Sequence, residues 1–198
     1  WHGGPAATGQ IADQLAVSPG TVTSMLKTLG ATTLATYMPY EGVRLTEPGT
    51  RLALRVLRRH RLIELFLVRT LDLSWDEVHD AAAHMEHAVS DLFIDRIDEM
   101  LGHPETDPHG DPIPKADGTI EPSSDRRLSD CGAGAEFRLA RVLDQSPEFL
   151  RYLSSTGLTP GASGRVTANN AEANIVTVNV EGNETSLGRA AAEKLAVE

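Results

Sequence analysis

The chain has 198 residues, 40% of them hydrophobic, and a formal net charge of −10. That is enough for one large domain or two small ones with a real core. No apolar run approaches 18 residues and no basic-then-apolar leader opens the chain, so neither a membrane span nor an export signal is expected. The single cysteine, Cys131, excludes an internal disulfide and a multi-thiolate zinc cluster, which makes the cytoplasm the default location.

The charge is uneven. Residues 1–61 hold seven Lys/Arg against three Asp/Glu, for +4, and the remainder carries −14. A basic first third on an acidic body suits contact with a polyanion. Six of the seven histidines fall between His60 and His109.

Trp1-His-Gly-Gly-Pro is loop-like and abrupt, as if a first helix upstream were missing. A short helix is expected from Thr8, its cap, through Leu15. Ser18 and Pro19 supply an N-cap and first-turn proline for a second helix to Leu29, with Val22, Met25, Leu26 and Leu29 on its apolar side. This is helix-turn-helix spacing, and it makes Pro19–Leu29 a recognition helix. Ser18, Thr21, Thr23, Ser24 and Lys27 are then candidate DNA contacts. Two short strands, 34–40 and 42–46, turn at Pro39 to Gly42 and form a wing that carries Arg44.

Thr46-Glu-Pro-Gly-Thr opens a long helix to about Leu71, with Arg51, Arg55, Arg58, Arg59 and Arg61 in its first half. It also offers His60 and Glu64 at i, i+4. Ser74 and Glu77 suggest a capping box for the next helix. There His79, Ala83, Glu86 and His87 fall at i, i+4, i+7 and i+8 and share a face. Two neighbouring helices can thus aim imidazoles and carboxylates at a common space, which is a metal-site pattern. His84, His103 and His109 are each more simply read as hydrogen-bonded neutral groups. Ser90 to Leu101 has an excess of apolar positions, as for a subunit interface. Residues 102–125 shift to Pro, Gly, Asp and His and read as a linker. Short strands at 127–142, 159–166, 175–180 and 184–187, a helix around 148–156 and a closing helical turn at 190–195 suit a small β-barrel.

This order of parts resembles the diphtheria-toxin-repressor family of iron- and manganese-dependent regulators. The matching segments are Ser18-Pro-Gly-Thr-Val-Thr-Ser-Met-Leu-Lys, Tyr40-Glu-Gly-Val-Arg-Leu-Thr, Arg59-His-Arg-Leu-Ile-Glu-Leu, Val78-His-Asp, Met85-Glu-His-Ala-Val-Ser-Asp and Gly110-Asp-Pro-Ile-Pro. The resemblance implies a mainly α fold with a small β part. Its parts are a winged helix-turn-helix (1–50), a helical metal-binding and dimerisation domain (51–101), the linker (102–125) and an FeoA-like small β-barrel (126–198).

It also implies an ancillary metal site at His60, Glu64 and His79, completed from the barrel by Asp144, Gln145 or Glu148. Glu86 and His87 resemble two ligands of the family's primary site. That site's third helical ligand falls at Ala83, which cannot bind a metal, and the rest belong to the family's first helix. The implied function is a repressor that binds double-stranded operator DNA as a homodimer when Mn(II) or Fe(II) activates it, with Mn(II) favoured because no thiolate occupies the primary site. A winged-helix regulator that ignores metal is the alternative. No His-Glu-x-x-His, phosphate loop or Gly-x-Ser-x-Gly elbow points to an enzyme.

Overall fold

The structure is a computed structural model, and it describes residues 4–38 and 41–198. The chain divides into two compact units, 1–56 and 57–198.

In the first unit, α1 (Thr8–Leu15) and α2 (Pro19–Ala31) precede the antiparallel strands β1 (Ala35–Met38) and β2 (Gly42–Leu45), which pair from Ala35↔Leu45 to Met38↔Gly42. Pro39 and Tyr40, at the expected wing turn, lie outside the described residues. The Ser18 hydroxyl accepts from the Thr21 amide at 3.1 Å and Pro19 fills the first turn, as the sequence pattern requires. Ala7, rather than Thr8, caps α1, and its amide donates to the Gln10 side chain at 3.3 Å. Ala12, Val22, Leu26, Ala35 and Val43 form the core.

The helix α3 (Glu47–Leu71) contributes residues 47–56 to the first unit and the rest to the second. In the second unit it packs with α4 (Val78–Met85) and α5 (Asp91–Met100) through Leu62, Ile63, Leu65, Leu67, Val78, Ala82, Ile94 and Ile97. The helix α4 is shorter than expected. Ser74 and Glu77 bond to each other side chain to side chain at 2.6 Å instead of forming a reciprocal cap, and the helix begins only at Val78. It also stops at Met85, so Glu86 and His87 occupy the turn beyond it. Leu92, Phe93 and Met100 on α5 are exposed.

The remaining elements are β3 (Glu136–Val142), α6 (Pro147–Ser155), β4 (Ser163–Asn170), β5 (Ile175–Val180), β6 (Asn183–Gly188), α7 (Arg189–Ala192) and β7 (Leu195–Val197). The strands form one antiparallel sheet in the order β6-β5-β4-β3-β7 around Phe137, Leu139, Val166, Val176, Val178 and Leu187, with Leu150 and Leu153 of α6 packed on it. The closing helical turn expected at 190–195 is present as α7 but ends at Ala192, and Leu195, its expected last residue, instead opens a buried strand beside β3 (Leu139↔Val197, Val142↔Leu195). No helix is long and apolar enough to cross a membrane.

The stretch 102–125 has little regular structure, yet Asp107, His109, Asp111 and Ile113 in it are buried. Arg58 donates to the Pro114 carbonyl at 2.9 Å, Arg61 donates to that of Pro112, and the Val142 amide donates to the His109 carbonyl at 2.9 Å. Polar anchors thus hold a proline-rich segment against both α3 and β3.

Candidate metal centre

One turn apart on α3, His60 and Glu64 face His79 from the first turn of α4. His60 Nε2 lies 2.9 Å from Glu64 Oε1 and 3.1 Å from His79 Nδ1, and His79 Nδ1 lies 3.2 Å from Glu64 Oε1. Three potential donor atoms therefore converge on one point. Edges of about 3 Å are what ligands at about 2.1 Å from one ion in cis positions would show. Glu64 is 1% exposed, whereas the His79 side chain is 61% exposed, which leaves the point open on the α4 side.

The other face of His60 is also fixed, since its Nδ1 lies 2.7 Å from Glu86 Oε2. A carboxylate there takes the Nδ1–H and leaves Nε2 for a metal, the usual way a ligating histidine is oriented. Burial disfavours charge on His60, but hydrogen bonds and charge from Glu64 and Glu86 outweigh it and raise its pKa above the ordinary histidine value. Burial likewise works to raise the Glu64 pKa, and His60, His109 and His79 together pull it below the ordinary value.

His60, Glu64 and His79 are thus brought together as the sequence suggested. The others are placed apart from that point. Glu86 reaches it only through His60, and His87, with a 74% exposed side chain, meets Glu86 Oε1 at 3.1 Å. Asp144 pairs with Lys194 at 2.6 Å and accepts from the Ser146 amide, and these bonds hold its pKa down at about 2. Gln145 donates to Asp111 Oδ2 at 2.8 Å. Glu148, 82% exposed, lies 3.6 Å from Arg151. Each is engaged elsewhere, Asp144 by Lys194 before β7, Gln145 by Asp111 of the 102–125 stretch and Glu148 by Arg151 one turn along α6.

A second set was missed by sequence reasoning. Glu64, Asp107 and His109, all buried, also present converging donor atoms. His109 Nε2 lies 2.9 Å from the Trp75 carbonyl, with the two rings stacked at 5.8 Å. His109 Nδ1 has no hydrogen-bond partner and lies 3.9 Å from both Glu64 Oε2 and Asp107 Oδ1. Burial, Asp111 and Glu64 push the Asp107 carboxyl up to about 8, against the pull of Arg61. The available signal was Asp107-Pro-His-Gly-Asp111, three polar groups in five residues, which composition alone files as linker.

In the first unit, Ser18, Thr21, Ser24, Lys27 and Arg44 are exposed and Thr23 half-buried. Thr21 Oγ1 bonds the Ser18 hydroxyl at 2.9 Å and Thr23 Oγ1 donates to the Pro19 carbonyl at 2.9 Å, so both hydroxyls are turned onto their own helix. Lys27 and Arg44 form no ion pair among the described residues.

A winged helix-turn-helix followed in sequence by a His/carboxylate centre and a small C-terminal sheet is the build of a metal-dependent transcriptional repressor, and comparison with known proteins agrees. Residues 46–115 match the model described as iron dependent repressor, metal binding and dimerisation domain, and residues 126–198 match the FeoA domain. The iron-dependent repressor IdeR of Mycobacterium tuberculosis is 31% identical over 190 residues, covering 88% of this chain and 80% of the relative. The diphtheria toxin repressor of Corynebacterium jeikeium is 33% identical over 127 residues, covering 63% and 53%. A solved manganese-dependent transcriptional repressor in complex with manganese aligns with a TM-score of 0.90 at 40% identity, covering all of this chain and 92% of that one. The chain belongs to the diphtheria-toxin-repressor family, whose named members here are repressors and not enzymes.

Proposed function

We propose that this chain represses transcription by binding operator DNA as a homodimer when Mn(II), in preference to Fe(II), occupies the centre at His60, Glu64 and His79. The observation that supports it most is the convergence of those three donor atoms within 3.2 Å of one another. A bound divalent ion supplies the positive charge that lets two imidazoles and a carboxylate share one point. His60 gives Nε2 while Glu86 retains its Nδ1–H, and Glu64 and His79 tie α3 to α4. Only a difference in affinity between DNA-competent and other states turns such binding into regulation. The imidazole/carboxylate set without thiolate supports Mn(II), and a solved relative is a manganese-dependent repressor in complex with manganese.

The exposed Leu92, Phe93 and Met100 of α5 support a second copy as partner. Lys27 and Arg44 contact the DNA, most of all its phosphates. The Ser24 hydroxyl joins them, those of Ser18, Thr21 and Thr23 do so where they turn from their partners on the helix, and the protein works where that DNA is, in the cytoplasm. Glu86 and His87, with ligands from an upstream helix, offer a second position for metal, and Asp144, Gln145 or Glu148 would have to leave their present partners to join the first. Ala83 favours a second reading, a regulator indifferent to metal. Operator affinity with Mn(II), with Fe(II) and with chelator decides. Tightening by Mn(II) above that by Fe(II) is expected, equal or better tightening by Fe(II) removes the metal preference, and no tightening by either establishes the second reading.

A further inference from the structure

We infer that the winged-helix unit holds operator DNA chiefly through uncharged groups, with Ser24 and Thr36 beside Lys27 and Arg44, and so keeps its specific complex at salt concentrations that strip a basic repressor from DNA. The inference rests on the proposed binding of operator DNA. It adds how the duplex is held, and a residue, Thr36, that holds it.

The seven Lys/Arg of residues 1–61 do not form a basic face. Arg58, Arg59 and Arg61 belong to the second unit, with side chains no more than 15% exposed, and are bound there. Arg58 meets Asp98 at 2.9 Å, Arg59 meets Asp91 at 2.5 Å, and Arg61 lies 3.6 and 3.5 Å from Asp107 and Asp111. In the first unit Arg51 pairs with Glu47, and Arg55 is engaged as well. Lys27 and Arg44 remain exposed and unpaired among the described residues, and Asp13 and Glu41, also exposed and unpaired there, offset them.

Binding releases counterions from DNA only where a cation neutralises a phosphate, so the salt dependence counts those contacts. Two such cations per copy allow a dimer a slope of log K against log salt of magnitude about 3.6 at most, at about 0.9 for each. Affinity then falls roughly 10²-fold between about 50 and 200 mM salt, against about 10³–10⁵ for a protein with roughly six to ten phosphate contacts. The same electrostatic attraction supplies nearly all non-specific binding, so this surface has little hold on DNA of the wrong sequence.

What remains to hold the operator is neutral. Ser24 precedes Lys27 by three residues on α2 and lies on the same side of the helix. Thr36 on β1 is paired with Arg44 on β2, which places both side chains on one face of the wing. Both hydroxyls are exposed and bonded to nothing among the described residues, unlike those of Thr21, Thr23, Thr28 and Thr32, which are turned onto their own helix. A hydroxyl binds a phosphate oxygen or a base edge without adding a cation to the interface, so it adds nothing to the salt slope.

The test is fluorescence anisotropy of two duplexes with the full chain in Mn²⁺, one recovered by the chain from a random-sequence pool and the other its scrambled counterpart. Across about 0.05–1 M KCl the slope should not exceed about 3.6 in magnitude, and the scrambled duplex should not bind above about 0.2 M. Ser24→Ala and Thr36→Val should each weaken the recovered duplex at least about fivefold with the slope unchanged, as loss of two neutral hydrogen bonds per dimer requires. Both positions are exposed, and valine keeps the branched side chain of a strand residue, so neither change threatens the fold. Ser24→Lys should steepen the slope by about 0.9 per copy and bring the scrambled duplex into binding. A slope of magnitude above about 4 for the unaltered chain overturns the inference and leaves the proposed function standing. Unchanged affinity in Ser24→Ala or Thr36→Val does the same. Failure to recover any duplex overturns DNA binding itself, and the inference with it.

Discussion

Arg59 holds Glu86 by its main chain, since the guanidinium Nε donates to the Glu86 carbonyl at 3.0 Å while another nitrogen donates to that of Val89 and a third meets Asp91 at 2.5 Å. The turn that follows α4 is thereby fixed, and with it the Glu86 carboxylate that orients His60. Arg59→Lys keeps the charge but loses the planar fork. It should destabilise by about 1.5–3 kcal/mol, the range for hydrogen bonds to a charged group, and weaken Mn²⁺ binding. Chemical unfolding and metal titration of the variant measure the two effects, and unchanged stability would show that the three contacts are idle.

His60 makes metal affinity depend on pH. Its folded pKa lies above 6.5, so in metal-free protein its contribution to stability is complete below 6.5 and disappears as pH rises through the raised value. Glu64, lowered below 4.5, contributes stability above 4.5 that is lost as pH falls through its folded value. Metal must displace the His60 proton, so Mn²⁺ affinity should rise as pH climbs through the raised His60 value, above 6.5, with protons released on binding. Calorimetry in buffers of different ionisation enthalpy counts those protons. Pairing of His60 with Glu86 through Nδ1 predicts that Glu86→Gln lowers the pH at which the rise occurs.

Gly110 has φ +83°, and a Cβ there would lie 1.9 Å from the Ala140 carbonyl oxygen. Neither problem can be relieved by turning a side chain. Gly110→Ala should cost more than about 2 kcal/mol from backbone strain and displaced contacts, and it should loosen Asp107 and His109, which precede it in the same loop. Thermal unfolding with and without Mn²⁺ is the measurement, with a smaller metal-induced rise in Tm expected for the variant.

Lys27→Ala should weaken binding to all DNA sequences alike and reduce the magnitude of the salt slope by about 0.9, one phosphate's share. Binding isotherms at several salt concentrations give the slope, and an unchanged value would remove Lys27 from the interface.

Ala83→Glu tests whether that position is a vacated ligand, because Glu86 and His87 follow it by one turn. The new carboxylate should tighten Mn²⁺ binding roughly tenfold or more, comparable with the effect of changes around a metal. The same number of ions at the same affinity would show that residue 83 does not face the site.

The elements closest to these tests were also the ones the sequence described best. Periodicity and caps marked α2, α3 and α5, and the i, i+4 spacing of His60 and Glu64 put both on one face because α3 is a long uninterrupted helix. The end of α4 at Met85 was not readable, since residues 86–88 keep helix-forming composition and the chain leaves the helix through contacts with Arg59, 27 residues before Glu86. Asp107 and His109 escaped for a related reason. A loop buried by arginines from another element carries no periodic pattern of its own, so composition points to solvent where tertiary packing decides otherwise. Leu195 shows a similar override, since pairing with β3 takes it out of the expected closing helix.

The hydrogen bond from the Val142 amide to the His109 carbonyl ties the edge of a sheet ladder to a non-repetitive loop. Exchange of that amide hydrogen with deuterium requires the loop to lift from β3, so a single main-chain proton in the sheet is a clock for opening at the cluster. Its neighbours in the β3–β7 ladder can exchange only when the strands part. Comparing the two rates separates local release of His109 from unfolding of the sheet, without a label at either donor set.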